Sequence, residues 1–176
     1  MKRYLTPTWT LNSVYDINSD DLLAQGIEGV IIDLDNTLIA WNQWEHTPEM
    51  AHWLHELKDA GIKVHIASNN NPGRVKKAAD PLAAAYTARA LKPLRRKLRK
   101  VIEQLGMPAD RIVLVGDQLM TDIIGANRLG LRSILVKPIV QHDNIYTWFN
   151  RRLEREAMRH LGLDRQADWG NTLGGD

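Results

Sequence analysis

Four short runs rich in Val and Ile, at 29–32, 64–67, 112–115 and 133–136, are separated by stretches whose apolar residues recur with helical period. A strand covered on both faces reads as such a continuous apolar run, and parallel strands need a crossover of a dozen or more residues between them. The alternation therefore predicts an α/β fold with a central parallel sheet flanked by helices.

The helical stretches carry their own boundary signals. Thr47-Pro48-Glu49 supplies a cap residue and a proline at the first helical position, and Met50, Trp53, Leu54 and Leu57 then fall on one face before Gly61. Pro93 is expected to open a second helix with Leu94, Leu98, Val101, Ile102 and Leu105 on one stripe and Gly106 at its end. A third spans about Thr121 to Leu129 ahead of Gly130, and a last, amphipathic helix over 145–161 repeats Ile145, Phe149, Leu153, Ala157 and Leu161. Between Pro81 and Lys92 the pattern is weak: 84–88 fits one more short strand, although its alanines favour helix. The polar, Gly-rich end DRQADWGNTLGGD reads as a flexible tail, so residues 1–162 form a single domain and 163–176 hang from it.

Composition narrows the chemistry. With 176 residues, 44% apolar and 25% charged, the chain suits one globular domain. No run approaches the ~18 consecutive apolar residues of a membrane-spanning helix, and MKRYLTPTWT lacks the apolar core of a secretory signal, so the expected address is cytoplasmic. The absence of cysteine excludes disulfides, thiolate zinc sites and cysteine nucleophiles. Residues 1–60 hold 3 Lys/Arg against 10 Asp/Glu, whereas 61–176 hold 20 against 11, an asymmetry that suits an anionic ligand or surface on the basic part, or simply helix faces that differ. His52 and His55, the one histidine pair at i,i+3, read as helix surface.

Ligands of open α/β sheets bind beyond the carboxyl ends of the strands, and there the residues converge on one chemistry. The first Val/Ile run ends in Asp33 and Asp35, the second in Ser68 and Asn69, and the third in Gly116 and Asp117, with Asp122 five residues on; Lys92 stands just before a basic helix. A carboxylate pair, a hydroxyl, an ammonium and a distal carboxylate on one edge form a site for phosphate and Mg2+.

The order DLDNT, Ser, Lys and GDxxxxD at successive strand ends resembles the haloacid dehalogenase superfamily of aspartyl-phosphate phosphatases. The runs GVIIDLDNTLIAW, IASNN, LKP and VGDQLMTDIIGANRLG are similar to the YqeG-type subclass IIIA phosphatases, relatives of the mitochondrial phosphatidylglycerophosphate phosphatases. The resemblance covers about residues 1–140 and implies a three-layer Rossmann-like fold. On it, Asp33 is the nucleophile and Asp35 the acid and base. Mg2+ is held by the Asp33 and Asp117 side chains and the Asp35 carbonyl, with Asp122 in support. Ser68, Asn69 and Lys92 bind phosphate, while Thr37 either does the same or caps its loop. The physical need agrees, because the negative oxygens of a phosphate monoester repel a nucleophile until fixed cations and donors absorb their charge.

Only 35 positions separate Asp33 from Ser68 and 24 separate Ser68 from Lys92, too few for a large cap domain, so the site is expected to be open to large or surface-bound substrates. Trp41 and Trp44 follow DLDNTLIA, where they either rim that opening or pack inward. Lys92–Lys100 carries six cations and no acid, and 145–161 sets Tyr146, Trp148 and Phe149 beside Arg151, Arg152, Arg155 and Arg159. With the resemblance, these point to a phospholipid headgroup such as phosphatidylglycerophosphate, met through peripheral contact of 93–105 and 145–161 with the inner face of the membrane. Alternatives are a soluble sugar or nucleotide monoester, with an oligomer interface in place of the cap, and a phospho-receiver domain that stores the acyl phosphate. Nucleic acid is not expected as a partner, because the basic helix lacks interleaved aromatics.

Overall fold

The computed structural model describes residues 2–140 and 148–174. Its six strands are β1 (Trp9–Leu11), β2 (Gly29–Ile32), β3 (Lys63–Ala67), β4 (Ala85–Thr87), β5 (Ile112–Gly116) and β6 (Arg132–Val136). They form one parallel sheet in the order β1-β6-β5-β2-β3-β4. Before, between and after them run α1 (Lys2–Leu5), α2 (Ser19–Ala24), α3 (Pro48–Asp59), α4 (Pro72–Ala79), α5 (Arg95–Leu105), α6 (Ile124–Asn127) and α7 (Trp148–Leu161).

Successive strand residues point to opposite faces, and the two faces have different coverings. Val30, Ile32, Val113 and Val115 pack with Met50, Trp53 and Leu54 of α3 and Val75 and Ala78 of α4. Ile31, Ile112 and Leu114 pack instead with Leu98, Val101 and Leu105 of α5 and Ala126 of α6. The result is the three-layer α/β arrangement expected from the alternating runs. Each fully buried Ile or Leu in these layers contributes roughly 1.5–3 kcal/mol, and truncating Leu54 to Ala would cost about 2–5 kcal/mol. Among the described residues, the segments between the site-bearing strands hold only α3, then α4, β4 and α5 with short 3-10 turns, so no large cap covers the carboxyl edge.

The α3 boundary follows its signals: the Thr47 hydroxyl accepts from the Met50 N–H at 3.0 Å, and Pro48 stands where no N–H partner is needed. His52 and His55 lie exposed on α3, within 3.4 Å of Glu56 and 3.2 Å of Asp59. Three expectations need correction. Pro93 does not open α5; it follows a cis peptide bond, Leu94 occupies the cap position with its side chain exposed, and the helix begins at Arg95. The helix placed at 121–129 begins earlier, as a wide turn over Leu119–Ile123 that continues into α6. The stripe assigned to the last helix holds at Ala157 and Leu161 but not at Leu153, which is exposed while Met158 is buried. Its expected start at 145–147 lies outside the described residues.

Residues 163–174 do not hang loose. Leu173 is buried in the main core, the Asn12 N–H donates to the Gly170 carbonyl at 3.1 Å, and the Asn12 amide reaches Asp168 and Asn171. The tail closes over the end of β1 through polar bonds that its Gly-rich composition did not advertise.

Candidate active site

The sheet changes direction between β2 and β5: from β2 the chain builds outward through β3 and β4, then crosses to β5 and β6 on the other side. A crevice forms at such a switch point, and Asp33 and Asp117 follow the two strands that flank it. The Asp33 N–H donates to the Val115 carbonyl at 2.9 Å, extending the ladder by one rung and fixing how the two carboxylates face each other. Carboxylate oxygens of Asp33, Asp117 and Asp122 all lie within 4.8 Å of one another, and all three residues are buried. Gly116 permits this, because a Cβ there would collide with the Asp122 carboxylate. Its role is space, not backbone freedom.

One buried ammonium sits among the three acids. Lys92 Nζ donates to Asp33 Oδ1 and Asp122 Oδ1, both at 2.7 Å. Burial alone would lower the Lys92 pKa, but Asp122 and Asp33 hold it above its ordinary value. Burial pushes the Asp33 carboxyl up to about 7; Lys92 opposes the shift, and Asp122 adds to it. Asp117 is raised well above the carboxylate range by burial, then by Asp33 and Asp122, with Arg165 acting the other way. Three clustered carboxylates against a single ammonium leave a deficit of positive charge. A divalent ion with hard oxygen ligands fits that deficit.

Asp35 lives differently, half-exposed beyond the loop that turns after Leu34. Its Oδ1 accepts from Arg74 Nε at 3.0 Å and lies 2.9 Å from Arg74 Nη2; its Oδ2 accepts from the Ser68 hydroxyl at 3.3 Å and the Asn70 amide at 3.2 Å. Arg74 is a buried residue of the first turn of α4, a helix started by Asn71 and Pro72, and its Nη2 also donates to the Ala40 carbonyl at 3.2 Å. Trp44 lies over its guanidinium, 5.6 Å from the ring centroid.

Asn69, expected at the phosphate, bonds the backbone of Lys92. Its amide oxygen accepts from the Lys92 N–H at 2.7 Å and its amide nitrogen donates to the Lys92 carbonyl at 3.0 Å, so both ends of the side chain help to locate Lys92. Thr37 is buried and donates to Asp117 Oδ1 at 3.3 Å. Sequence reasoning missed Arg74, Asn70, Glu154 and Arg165. A signal for Arg74 exists in NNNPGR, where an Asn-Pro helix start follows a site-bearing strand and puts the third helical residue within reach of the neighbouring loop. Glu154 and Arg165 carry no such mark. Glu154 accepts from the Leu119 N–H at 2.7 Å and the Met120 N–H at 3.1 Å, and Arg165 Nη2 donates to the Asp117 carbonyl at 2.7 Å. Burial raises the Glu154 pKa against those two N–H groups.

Comparison with known proteins agrees with this geometry. Residues 14–130 match the haloacid dehalogenase-like hydrolase family. The chain is 35% identical over 169 residues to the probable phosphatase YqeG of Bacillus subtilis, covering 96% of this chain and 98% of that one. It is 25% identical over 168 residues to a chloroplastic and mitochondrial phosphatidylglycerophosphate phosphatase of Arabidopsis thaliana, spanning 90% of this chain but 48% of that protein. The cobalt-bound deoxy-D-mannose-octulosonate 8-phosphate phosphatase of Haemophilus influenzae shares the fold, with a TM-score of 0.53 at 15% identity over 81% of this chain and 92% of that one. Among the described residues, no helix is long and apolar enough to cross a membrane. With carboxylates gathered at the switch point of a parallel sheet and the match running through every strand that bears them, this chain belongs to the haloacid dehalogenase-like hydrolases, among their phosphatases.

Proposed function

We propose that the protein is a Mg2+-dependent phosphomonoester hydrolase acting through an aspartyl-phosphate at Asp33, and that its substrate is a phospholipid headgroup such as phosphatidylglycerophosphate. The observation that carries the catalytic part is the division of environment between Asp33, among buried carboxylates with Lys92, and Asp35, held by Arg74, Ser68 and Asn70. The Asp33 and Asp117 side chains and the Asp35 carbonyl would hold Mg2+, with Asp122 supporting them. When bound, the ion neutralises charge on the phosphoryl oxygens.

An Asp33 oxygen attacks phosphorus as the ester P–O bond breaks, and Asp35 gives its proton to the departing oxygen. Asp35, now a carboxylate, takes a proton from water; the water oxygen attacks phosphorus and the bond to Asp33 breaks. Inorganic phosphate leaves and both acids return to their starting states. Lys92 and Ser68 steady the phosphoryl oxygens, Asn69 locates Lys92, and Thr37 orients Asp117.

The rim of the site supports a lipid substrate. Trp41 and Trp44 after β2, Leu91 and Leu94 before α5 and Ile139 after β6 are between 36% and 57% exposed, and all lie on loops at the carboxyl edge. Exposed Arg89, Arg95 and Arg96 interleave with the leucines, a pattern that suits peripheral docking on the inner face of an anionic membrane. Arg99 and Lys100 extend the charge along α5, and residues 145–161 would add a second contact. The name of the Arabidopsis relative, a phosphatidylglycerophosphate phosphatase, points the same way.

Phosphate release from a panel of lipid and soluble monoesters tests the reading. Lipid phosphate should be preferred when presented in anionic vesicles, and reversing Arg95, Arg96, Arg99 and Lys100 should weaken vesicle binding while sparing a small aryl phosphate. Each such charge contributes on the order of 1 kcal/mol near the surface, so the preference should fade as salt rises. A preference for a soluble sugar or nucleotide monoester that ignores salt would overturn the lipid assignment. Phosphorylation that persists on the unmodified chain would overturn hydrolysis.

A further inference from the structure

We infer that the segment after the main domain is part of the catalytic apparatus: Glu154 and Arg165 form a brace that sets the position of Asp117 and Asp122. The inference rests on the metal-dependent reading above and goes beyond it, since both residues stand outside the matched span of 14–130.

The turn that begins at Leu119 exposes the unpaired N–H groups common to helix starts. Gln118, at the cap position, makes no side-chain capping bond. Glu154 serves from a distance instead: its two carboxylate oxygens take the Leu119 and Met120 N–H groups separately, a charged acceptor at the positive end of a helical segment. Arg165 Nη2 completes the brace by joining the Asp117 carbonyl at 2.7 Å to Glu154 Oε1 at 3.3 Å. Glu154 is 14% and Arg165 27% exposed, so the bonds are sheltered from competing water.

Both ends of the braced stretch carry acids of the site. Asp117 enters it from β5, and Asp122 leaves it one turn later, its Oδ2 accepting from the Gln118 N–H at 3.2 Å. Three buried carboxylates share the single Lys92 ammonium and still repel one another, so something must hold the backbone that carries them. α7 is anchored for this by Ala157 and Met158, which pack with Leu5, Leu119, Ile123 and Leu135. Arg165 reaches the site because the chain turns back after Leu163, whose N–H donates to the Met158 carbonyl at 3.0 Å.

Glu154 and Arg165 touch neither substrate nor the reacting atoms; they are positioning residues. Partners one layer behind a metal site typically change metal affinity or activity by roughly 10–100-fold when removed. The test is a calorimetric Mg2+ titration without substrate, on wild type, Glu154→Ala, Arg165→Met and Leu163→Ala, alongside Tm without metal and KM for an aryl phosphate. Leu163→Ala loosens the same segment but leaves the brace bonds in place. The Glu154 and Arg165 variants should weaken Mg2+ binding about tenfold or more while KM moves less than threefold, and Arg165→Lys should recover part of the loss. Leu163→Ala should lower Tm with Mg2+ binding near that of wild type. Unchanged binding in the brace variants, or an equal loss in Leu163→Ala at matched Tm, would overturn the brace while leaving the phosphatase reading intact. A wild-type chain that binds no Mg2+ would instead overturn the metal reading beneath it.

Discussion

Asp33 and Asp35 are two residues apart on one loop, and their surroundings have almost nothing in common. Asp33 is buried between β2 and β5 against two further acids and one ammonium, and its proton affinity is raised to about 7. Asp35 stands on the β3 side, where a guanidinium, a hydroxyl and an amide divide its two oxygens. A strand end can present two identical side chains to two chemistries because its backbone turns at Leu34 and Asn36, the latter at φ 63°. The lesson is that the role of a carboxylate belongs to its neighbours; sequence spacing only brings it to the right edge.

Removing the more buried acid should have the largest effect. Asp33→Asn is expected to lower kcat on the order of 10^4-fold and to abolish any acid-stable, alkali-labile phosphate on the protein, measured by rapid quench. Turnover within tenfold of wild type would collapse the distinction between the two acids.

Asp35→Asn should cost less and should discriminate. A loss on the order of 10^2–10^4-fold is expected for alkyl phosphates, shrinking for activated aryl phosphates whose leaving groups need no proton. Equal losses on both would remove Asp35 from the acid role.

Arg74→Met addresses the same side of the loop while leaving both acids in the sequence. Freed from its anchor, Asp35 should wander, and kcat should fall about 10–100-fold with KM little changed, since small misplacements of a reacting group are costly. A rise in KM with kcat intact would make Arg74 a substrate-binding residue instead.

The smallest effect is on stability. In the metal-free protein Asp33 and Asp117 bind protons more tightly when folded than unfolded, so the stability they contribute is fully present below about pH 4 and is lost as pH rises through the folded value near 7 for Asp33. Tm should therefore fall between pH 5 and pH 8, and each kcal/mol of stability lost lowers it by about 3 °C. Asp33→Asn should flatten that slope and Mg2+ should offset it. A slope unchanged in Asp33→Asn would show that the crowding around it is relieved in some other way.

How much of this was legible depended on how local the signal was. The strands at 29–32 and 112–115 announced themselves because burial on both faces demands an unbroken apolar run, and Thr47-Pro48 announced α3 because capping needs only adjacent residues. The edge strand β1 escaped notice, as Trp9–Leu11 is three residues long and is defined by its partner β6. Arg74 looked like any surface cation in PGRVKKAA until α4 folded it inward. The resemblance puts Asn69 beside the phosphate but carries no mark of the two bonds by which its amide holds the loop returning from β4. What the sequence hid in each case was a partner supplied from far along the chain.

The place of β1 in the sheet has a consequence for the order of assembly. Trp9 pairs with Ile134, so β1 is made well before the strand that gives it a neighbour. Closing a loop of that length carries an entropic cost that no local contact repays, and pairings of such long range form slowly. The β5–β2–β3 centre, with its shorter crossovers, can take shape first, leaving the outer side of β6 an open row of hydrogen-bonding groups until Trp9–Leu11 arrives. A nascent or partly unfolded chain is thus most open to intermolecular pairing at β6, and β1 acts as the latch that ends that exposure.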